Sequence, residues 1–347
     1  PLEATNTGLG GSPGPHLVSR EAGVRGPGDG AAGGGARGRG QLATRGLSAP
    51  QTREAIRKIR ERTDKPFAAN VTLYFPGARE NAQVLIEEKV PVINVSMGKG
   101  DFLVQAAREW GGKVIATVVN EKHARAAESW GADALLVTGH EAAAHGGDVT
   151  TMVLVPAIAD AVKIPVVAAG GIADGRGLAA VLALGGEGVA MGTRLMMTKD
   201  SPIHEACKEL ALQKGIADTV YTTRFDGQPC RILVSKGSRK AIRRGLDLPR
   251  ALSNSRQIAR MMGMPWGKLA LGVTASGWKN VKQLSYLANA FKAFQVSTLD
   301  GDVDRGVLPL GQVVGLVHDL PTVAEVLERV VAEADAARAR LDAATAG

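Results

Sequence analysis

Two glycine turns carry the clearest chemical signal in this sequence. Residues 169–172 read Ala-Gly-Gly-Ile and residues 192–194 read Gly-Thr-Arg, and each turn directly follows a short apolar run. Glycine lets the backbone approach a ligand closely and leaves N–H groups free to point at an anion. Paired turns one β-α-β unit apart are typical of the phosphate site after the last two strands of a (β/α)₈ barrel. The sequence therefore predicts a phosphate-binding site at these turns.

A third loop, residues 139–147, supplies the candidate acid or base. It contains His140, Glu141 and His145, and His145 precedes a Gly-Gly pair, so a flat ligand has room to approach its ring. An imidazole that titrates near neutral pH suits removal of a proton from a weak carbon acid. The alternative interpretation is a loop histidine bonded to a backbone carbonyl. The spacing lacks the i, i+4 pattern of a helical metal site, so no metal is predicted.

The elements that position these loops alternate regularly along the chain. Six short apolar strands are predicted at about 67–71, 92–95, 114–118, 134–137, 164–168 and 188–191, and each is followed by a helical pattern. Strand spacings of 20 to 30 residues with intervening helices indicate a parallel sheet. If the glycine turns follow strands seven and eight of a barrel, the first two strands lie unrecognisably in the N-terminal tail. An open doubly wound sheet is the alternative.

The composition divides the chain into three regions. Residues 1–48 contain 14 glycines and show no apolar periodicity, so we expect a disordered tail. Residues 49–200 and 301–347 are predicted to form the barrel. The regular alternation of apolar strands and helices ends at about residue 200. We predict an inserted helical lid or substrate domain over 201–300.

Composition also limits the classes of function. Hydrophobic residues make up 45% of the chain but aromatic residues only 4%, which fits a parallel sheet wrapped in helices. Two cysteines, no run of 18 apolar residues and no charged-then-apolar leader favour a cytoplasmic protein without a membrane span. Neither the Gly-x-Ser-x-Gly turn of hydrolases nor the phosphate loop of nucleoside triphosphatases is present.

Most of the net charge of +8 is concentrated in one stretch. Residues 224–260 hold ten Lys and Arg but only two acids, Asp226 and Asp247. This stretch is interpreted either as a solvated helical face or as a surface for an anionic partner. The stretch does not favour nucleic acid as its partner. Proteins that bind single strands stack the bases on aromatic rings, and Phe225 is the only aromatic residue among these basic ones.

Four ordered motifs resemble the nitronate monooxygenase (2-nitropropane dioxygenase) family from about Leu47 to the end of the chain. They are Gly-x-Glu-x-x-x-His-Gly at 139–146, Pro-Val-Val-Ala-Ala-Gly-Gly-Ile-Ala-Asp-Gly at 165–175, Met-Gly-Thr-Arg at 191–194, and Gly-Asp-Val-Asp with Gly-Gln-x-x-Gly within 301–315. The resemblance implies an FMN-dependent (β/α)₈ TIM barrel with His145 as the catalytic base. The residues it implies at the cofactor are Asn70, Thr138, Ala169, Gly170, Gly171, Gly192, Thr193 and Gln312.

The implied reaction is oxidation of an alkyl nitronate with O₂ to a carbonyl compound and nitrite, with NAD(P)H as a possible further partner. Two alternatives remain open: an NAD(P)H-dependent reductase of enoyl-acyl-carrier protein or quinone, and a non-catalytic remnant that binds an anion or nucleic acid. Three departures from the family pattern stand out. The opening Gln-Gly-Gly/Pro-Met loop has no match before Leu47, Ala143-Ala144 replace a Gly-Gly pair, and Thr117 stands where some relatives carry lysine.

Overall fold

Nine parallel strands form one curled sheet in this computed structural model, which describes residues 16–19, 38–75, 77–143, 145–261, 265–275 and 277–345. The strands are β1 (His16–Ser19), β2 (Gly38–Arg39), β3 (Gln41–Ala43), β4 (Ala68–Thr72), β5 (Val92–Ser96), β6 (Lys113–Val118), β7 (Ala134–Thr138), β8 (Val166–Ala169) and β9 (Gly188–Met191). Their order is β2-β1-β9-β8-β7-β6-β5-β4-β3.

This order closes on itself. Strands β2 and β3 are separated only by Gly40, and they pair with β1 and β4 at opposite ends of the sheet. Residues 38–43 therefore act as one strand position, and the sheet has the eight positions of a (β/α)₈ barrel. The predicted TIM-barrel fold is confirmed.

The prediction of a disordered tail over residues 1–48 is wrong for its described residues, 16–19 and 38–48. Strand β1 pairs with β9 from His16↔Gly188 to Ser19↔Met191, residues 38–43 fill the second strand position, and residues 44–47 form a hydrogen-bonded turn. These strands give no apolar run long enough to predict them: β1 has four residues and residues 38–40 are Gly-Arg-Gly. Their places depend on pairing with strands distant in sequence, β9 for β1 and β4 for β3. The remainder of that prediction, residues 1–15 and 20–37, lies outside the described residues.

The helices alternate with the strands and then continue beyond them. They are α1 (Ala49–Arg60), α2 (Ala78–Glu87), α3 (Asp101–Ala107), α4 (Glu121–Ser129), α5 (Thr151–Ala161), α6 (Gly175–Ala183), α7 (Thr193–Met196), α8 (Glu205–Leu212), α9 (Lys236–Arg244), α10 (Leu248–Met261), α11 (Trp266–Ala275), α12 (Trp278–Thr298) and α13 (Val323–Thr345), with 3-10 turns at Arg108–Trp110 and Gln312–Leu316. All six strands predicted from apolar runs are found within about two residues of their predicted positions.

Local side chains define where the helices begin. At the start of α1 the Ser48 N–H donates to Gln51 Oε1 at 2.9 Å. At α6 the Asp174 carboxylate accepts from the Arg176 N–H at 2.9 Å. Such capping satisfies N–H groups that have no partner within the helix. It holds the start of α6 directly after the first glycine turn.

Residues 201–300 are not wholly helical. They contain an antiparallel hairpin of β10 (Thr219–Thr222) and β11 (Cys230–Leu233), joined by the loop 223–229. Helices α10, α11 and α12 pack against one another, and residues 302–316 return to the barrel. In the described part of the chain, no helix is both long and apolar enough to span a membrane.

Alternation of side chains gives the barrel an outer and an inner face. Outward residues such as Ile93 and Leu135 pack under the helices, and inward residues such as Ala68 and Leu136 form an apolar cluster inside the barrel. Nearer the carboxyl ends of the strands, the inward residues become polar: Asn70, Asn94 and Thr138 are buried, and Thr117 is partly buried. The apolar layer seals the barrel, and the polar layer forms the floor of the site above it.

Candidate active site

A cavity of about 930 Å³ opens at the carboxyl ends of the barrel strands. That volume lies within the range of small-molecule and cofactor sites. Eight of the nine residues expected at the site from the sequence line it: Asn70, Thr138, His145, Ala169, Gly170, Gly171, Gly192 and Thr193. The fold therefore brings together three loops that the sequence places far apart.

The two glycine turns form one wall of this cavity. Gly170 and Gly171 have left-handed φ angles of 96° and 77°. A Cβ atom at Gly170 would lie 3.0 Å from both Cβ and N of Ala142, so the turn needs glycine for space as well as for conformation. Opposite, the Gly311 N–H donates to Thr193 Oγ1 at 2.9 Å and fixes the second turn. Backbone N–H groups at such turns could hold a phosphate.

A polar network forms the floor. Asn70 Nδ2 donates to Asn94 Oδ1 at 2.6 Å, and Thr117 Oγ1 donates to the same oxygen at 2.9 Å. Thr72 Oγ1 lies 2.9 Å from Ser96 Oγ. Thr117, one of the departures from the family pattern, is therefore part of the network that orients Asn70.

Two buried polar atoms of the cavity wall have no hydrogen-bond partner among the described residues. They are Gln41 Oε1 and Thr138 Oγ1, on side chains only 2% and 4% exposed. A buried polar atom without a partner is costly, so these atoms point to a polar ligand that completes them. The edge of a flavin ring offers suitable donors and acceptors. Sequence reasoning missed Gln41, because no strand was predicted there.

The catalytic candidate His145 is paired with a carboxylate from the hairpin loop. His145 Nε2 lies 2.7 Å from Asp226 Oδ2, and the Asp226 side chain is only 2% exposed. Burial alone would raise the pKa of Asp226, but the His145 hydrogen bond, the Gln228 N–H and the Arg45 charge hold it below its ordinary value. Since the ionised carboxylate only accepts, Nε2 carries the proton and Nδ1 is left able to take one.

Asp226 was not among the residues expected from the sequence. It lies 81 residues after His145, in a stretch interpreted through its positive charge. One feature of the sequence could have pointed to it: Asp226 and Asp247 are the only two acids among the ten basic residues of 224–260. The isolated acid is buried against histidine rather than solvated among its cationic neighbours.

The hairpin also braces the histidine loop. Tyr221 Oη donates to the Gly146 carbonyl at 2.9 Å, and Arg231 Nε donates to the His140 carbonyl at 3.1 Å. His140 Nδ1 lies 3.0 Å from the Gly147 carbonyl. His140 therefore matches the loop-histidine alternative, whereas His145 faces a carboxylate and the cavity.

Gln312 lies beside the cavity but is not part of its described wall. Its backbone N–H donates to the Glu141 carbonyl at 3.0 Å. The Glu141 carboxylate in turn accepts from the N–H and the hydroxyl of Thr151, both at 2.9 Å, at the start of α5. Both residues therefore hold the histidine loop in place.

The comparisons with known proteins agree with this geometry. The profile described as nitronate monooxygenase matches residues 30–333. The (3aS,4S,5R,7aS)-5-hydroxy-7a-methyl-1-oxo-octahydro-1H-indene-4-carboxyl-CoA dehydrogenase of Mycobacterium tuberculosis is 37% identical over 336 residues, covering 94% of this chain and 91% of that protein.

Two solved structures share the whole fold. FabK from Thermotoga maritima has a TM-score of 0.79 at 33% identity, covering 95% of each chain. Nitroalkane oxidase from Streptomyces ansochromogenes has a TM-score of 0.75 at 26% identity, covering 94% of this chain and 97% of that one. This chain is therefore an oxidoreductase that belongs to the nitronate monooxygenase family.

Proposed function

We propose that this chain is an FMN-dependent oxidoreductase that converts alkyl nitronates and O₂ to a carbonyl compound and nitrite. The observation that carries the proposal is that the His145–Asp226 pair and the two glycine turns face one cavity. A candidate base and a candidate phosphate cradle in one cavity suit proton chemistry beside a ring that is anchored by its phosphate.

In this proposal the phosphate of FMN would be held by Gly170, Gly171, Gly192 and Thr193, and Asn70, Gln41 and Thr138 would bind polar atoms of its ring. Ala169, the last residue of β8, lines the same cavity and would contact the cofactor. Gln312 acts on the cofactor through the loop that its backbone fixes. When bound, FMN supplies an electron acceptor that reacts with dioxygen.

The protein's own contribution is control of one proton. The buried Asp226 carboxylate accepts from His145 Nε2 and holds the imidazole in one orientation. Nδ1 then removes the acidic α-proton of a nitroalkane, or orients the nitronate that results. General base catalysis of this kind contributes on the order of 10²- to 10⁴-fold.

Oxidoreduction of an acyl thioester is the second candidate. It is favoured by the name of the Mycobacterium tuberculosis relative, which matches almost the whole chain. Burial and the neighbouring charges of Arg244 and Arg305 lower the pKa of Arg250, against the opposite effect of Asp247. Arg244 and Arg305 are themselves 3.5 and 3.6 Å from Asp247 and Asp302, so the phosphates of a CoA or NAD(P)H would have to compete with these carboxylates for the cations. The α-carbon of a thioester is also a weak carbon acid, so His145 would keep its role.

The third possibility, a non-catalytic barrel remnant, loses its main support. It depended on the absence of the first two strands, and β1 and residues 38–43 occupy those positions.

One experiment separates these candidates. Protein saturated with FMN is supplied with ethyl nitronate while oxygen uptake and nitrite are measured, and in parallel with NADH plus crotonyl-CoA or a quinone. Nitrite formed from ethyl nitronate by the wild type supports the first proposal, and nitrite formed from nitroethane that is lost in His145→Ala assigns the proton removal to His145. Turnover of thioester or quinone without nitrite supports the second group. A protein that takes up no FMN contradicts both.

A further inference from the structure

Arg45 lies in the active-site cavity on a tightly fixed turn between β3 and α1. The turn is closed by the Leu47 N–H, which donates to the Thr44 carbonyl at 3.0 Å, and Gly46 has a left-handed φ of 81°. This is the pattern of a type II turn with Arg45 at its second position. The backbone of Arg45 is therefore held in one conformation.

The turn is anchored on both sides. Thr44 donates to the Asn70 carbonyl through its N–H at 3.2 Å and through its hydroxyl at 2.8 Å. The buried Asn81 side chain donates to the carbonyls of Thr44 and Leu47, at 3.3 and 3.0 Å. These bonds connect the turn to β4, whose Asn70 forms part of the cavity floor. Rigid support of this kind is what a binding residue requires.

The guanidinium of Arg45 has an aromatic support but no counter-ion. It lies 4.1 Å from the centre of the Phe75 ring. Within the part of the chain that the structure describes, no carboxylate lies within 4 Å of it. Asp226 attracts Arg45 only from beyond ion-pair distance, and its carboxylate is hydrogen-bonded to His145.

Lys99 shows the contrast within the same cavity. Its ammonium group is 2.6 Å from Asp101, and its side chain is 65% exposed, so its charge is both paired and solvated. The Arg45 guanidinium is partly buried and has no carboxylate at ion-pair distance. Burial of such a charge costs free energy unless a bound ligand supplies the counter-charge. The fork of N–H donors at the edge of a guanidinium matches two coplanar oxygens, as in a nitronate or a carboxylate.

We propose that Arg45 binds the two-oxygen anionic group of the substrate in the cavity that His145 also lines. This inference rests on the proposed function and deepens it. When His145 takes the α-proton of a nitroalkane, the C–H electron pair moves into the C–N bond and negative charge develops on the two nitro oxygens. Arg45 neutralises that charge, and the step requires no oxidant.

The test uses FMN-loaded protein and propionate, an inert stand-in for ethyl nitronate with the same planar anionic end. Binding is followed through the visible flavin spectrum in wild type, Arg45→Met, Arg45→Lys and the control Lys99→Met. We expect Arg45→Met to weaken propionate binding roughly tenfold or more, because charge-assisted hydrogen bonds are lost. Arg45→Lys keeps the charge without the fork and should be intermediate. Lys99→Met should bind propionate as wild type does.

Three results would overturn the inference. They are propionate binding by Arg45→Met at wild-type strength, absence of binding in wild type, and loss of FMN from both Arg45 variants, which would assign Arg45 to the cofactor. If Arg45→Met does not fold, Arg45→Lys alone must show the weakening. Failure of wild type to oxidise ethyl nitronate contradicts the proposed function but leaves the propionate titration valid, so the two failures are distinguishable.

Discussion

His145 Nε2 and Asp226 Oδ2 lie 2.7 Å apart although they belong to a barrel loop and to a hairpin loop 81 residues further on. The carboxylate is held independently of the histidine. Asp226 Oδ1 accepts from the Gln228 N–H at 3.1 Å, and its backbone carbonyl accepts from Gln283 Nε2 at 3.0 Å. The hairpin therefore presents a fixed acceptor to the imidazole before any substrate binds.

Replacing Asp226 with asparagine tests whether this contact orients the base. Asparagine keeps the shape but removes the charge that holds the imidazole in its productive tautomer. We expect kcat to fall by about tenfold to a thousandfold, with FMN content and KM little changed. Asp247→Asn is the matched control, since it removes the other acid of the basic stretch and should leave kcat unchanged. Equal kcat values for the two variants would exclude a positioning role for Asp226.

His145→Ala tests the base itself. Turnover of nitroethane should drop on the order of 10²- to 10⁴-fold or become undetectable, while the bound flavin spectrum remains. His123, which lies on α4 and also lines the cavity, provides the control through His123→Ala. Unchanged turnover in His145→Ala would remove His145 from the mechanism.

The parts of the fold that the sequence predicted are those with a local cause. Strands such as β7 and β8 are buried on both faces and so appear as continuous apolar runs. Strand β1 has four residues, and its identity depends on pairing with β9. The hairpin strand β10 is only partly buried, and its pairing with β11 is equally invisible to periodicity.

The same division applies to the site. The glycine turns directly follow β8 and β9, and His145 lies in the loop after β7. Ligands of parallel α/β folds bind at these ends of the strands, so position made these residues candidates and the family resemblance assigned their expected roles. Asp226, Gln41 and Arg45 reach the cavity from segments that tertiary structure brings there. Their proposed roles depend on which side chains lie beside them in the folded protein. A single sequence does not give those contacts.

The stability of the fold should depend on the ionisation of Asp226. Burial raises its pKa, but His145, the Gln228 N–H and Arg45 together bring it below the ordinary value. A depressed folded pKa gives stability that is present above the unfolded pKa, about 4, and is lost as pH falls through the folded value. The difference in Tm between wild type and Asp226→Asn should be largest above about pH 5 and shrink below about pH 4. Calorimetry at constant ionic strength measures it, and a gap that widens in acid would contradict the assignment.

The glycine cradle is tested by placing a negative charge in it. Gly192→Glu should lower FMN affinity on the order of 10²-fold or more, because a carboxylate would face the phosphate at close range. Equilibrium dialysis against FMN measures the change. Gly272→Glu adds the same charge on α11, where a Cβ meets nothing within 4 Å, and should bind FMN normally. Normal affinity in Gly192→Glu would place the phosphate elsewhere.

The two cysteines should be unreactive in the folded protein. Burial raises the pKa of Cys207 to about 11, and its Sγ donates to the Ser297 carbonyl at 3.0 Å. Burial first, and then the nearby Asp226 charge, also raise the pKa of Cys230. Since the thiolate is the reactive form, a thiol reagent at about pH 8 should label neither residue in the native state and both after unfolding. Rapid native labelling that disappears in Cys230→Ser would instead show that the hairpin opens, and with it the contact between Asp226 and His145.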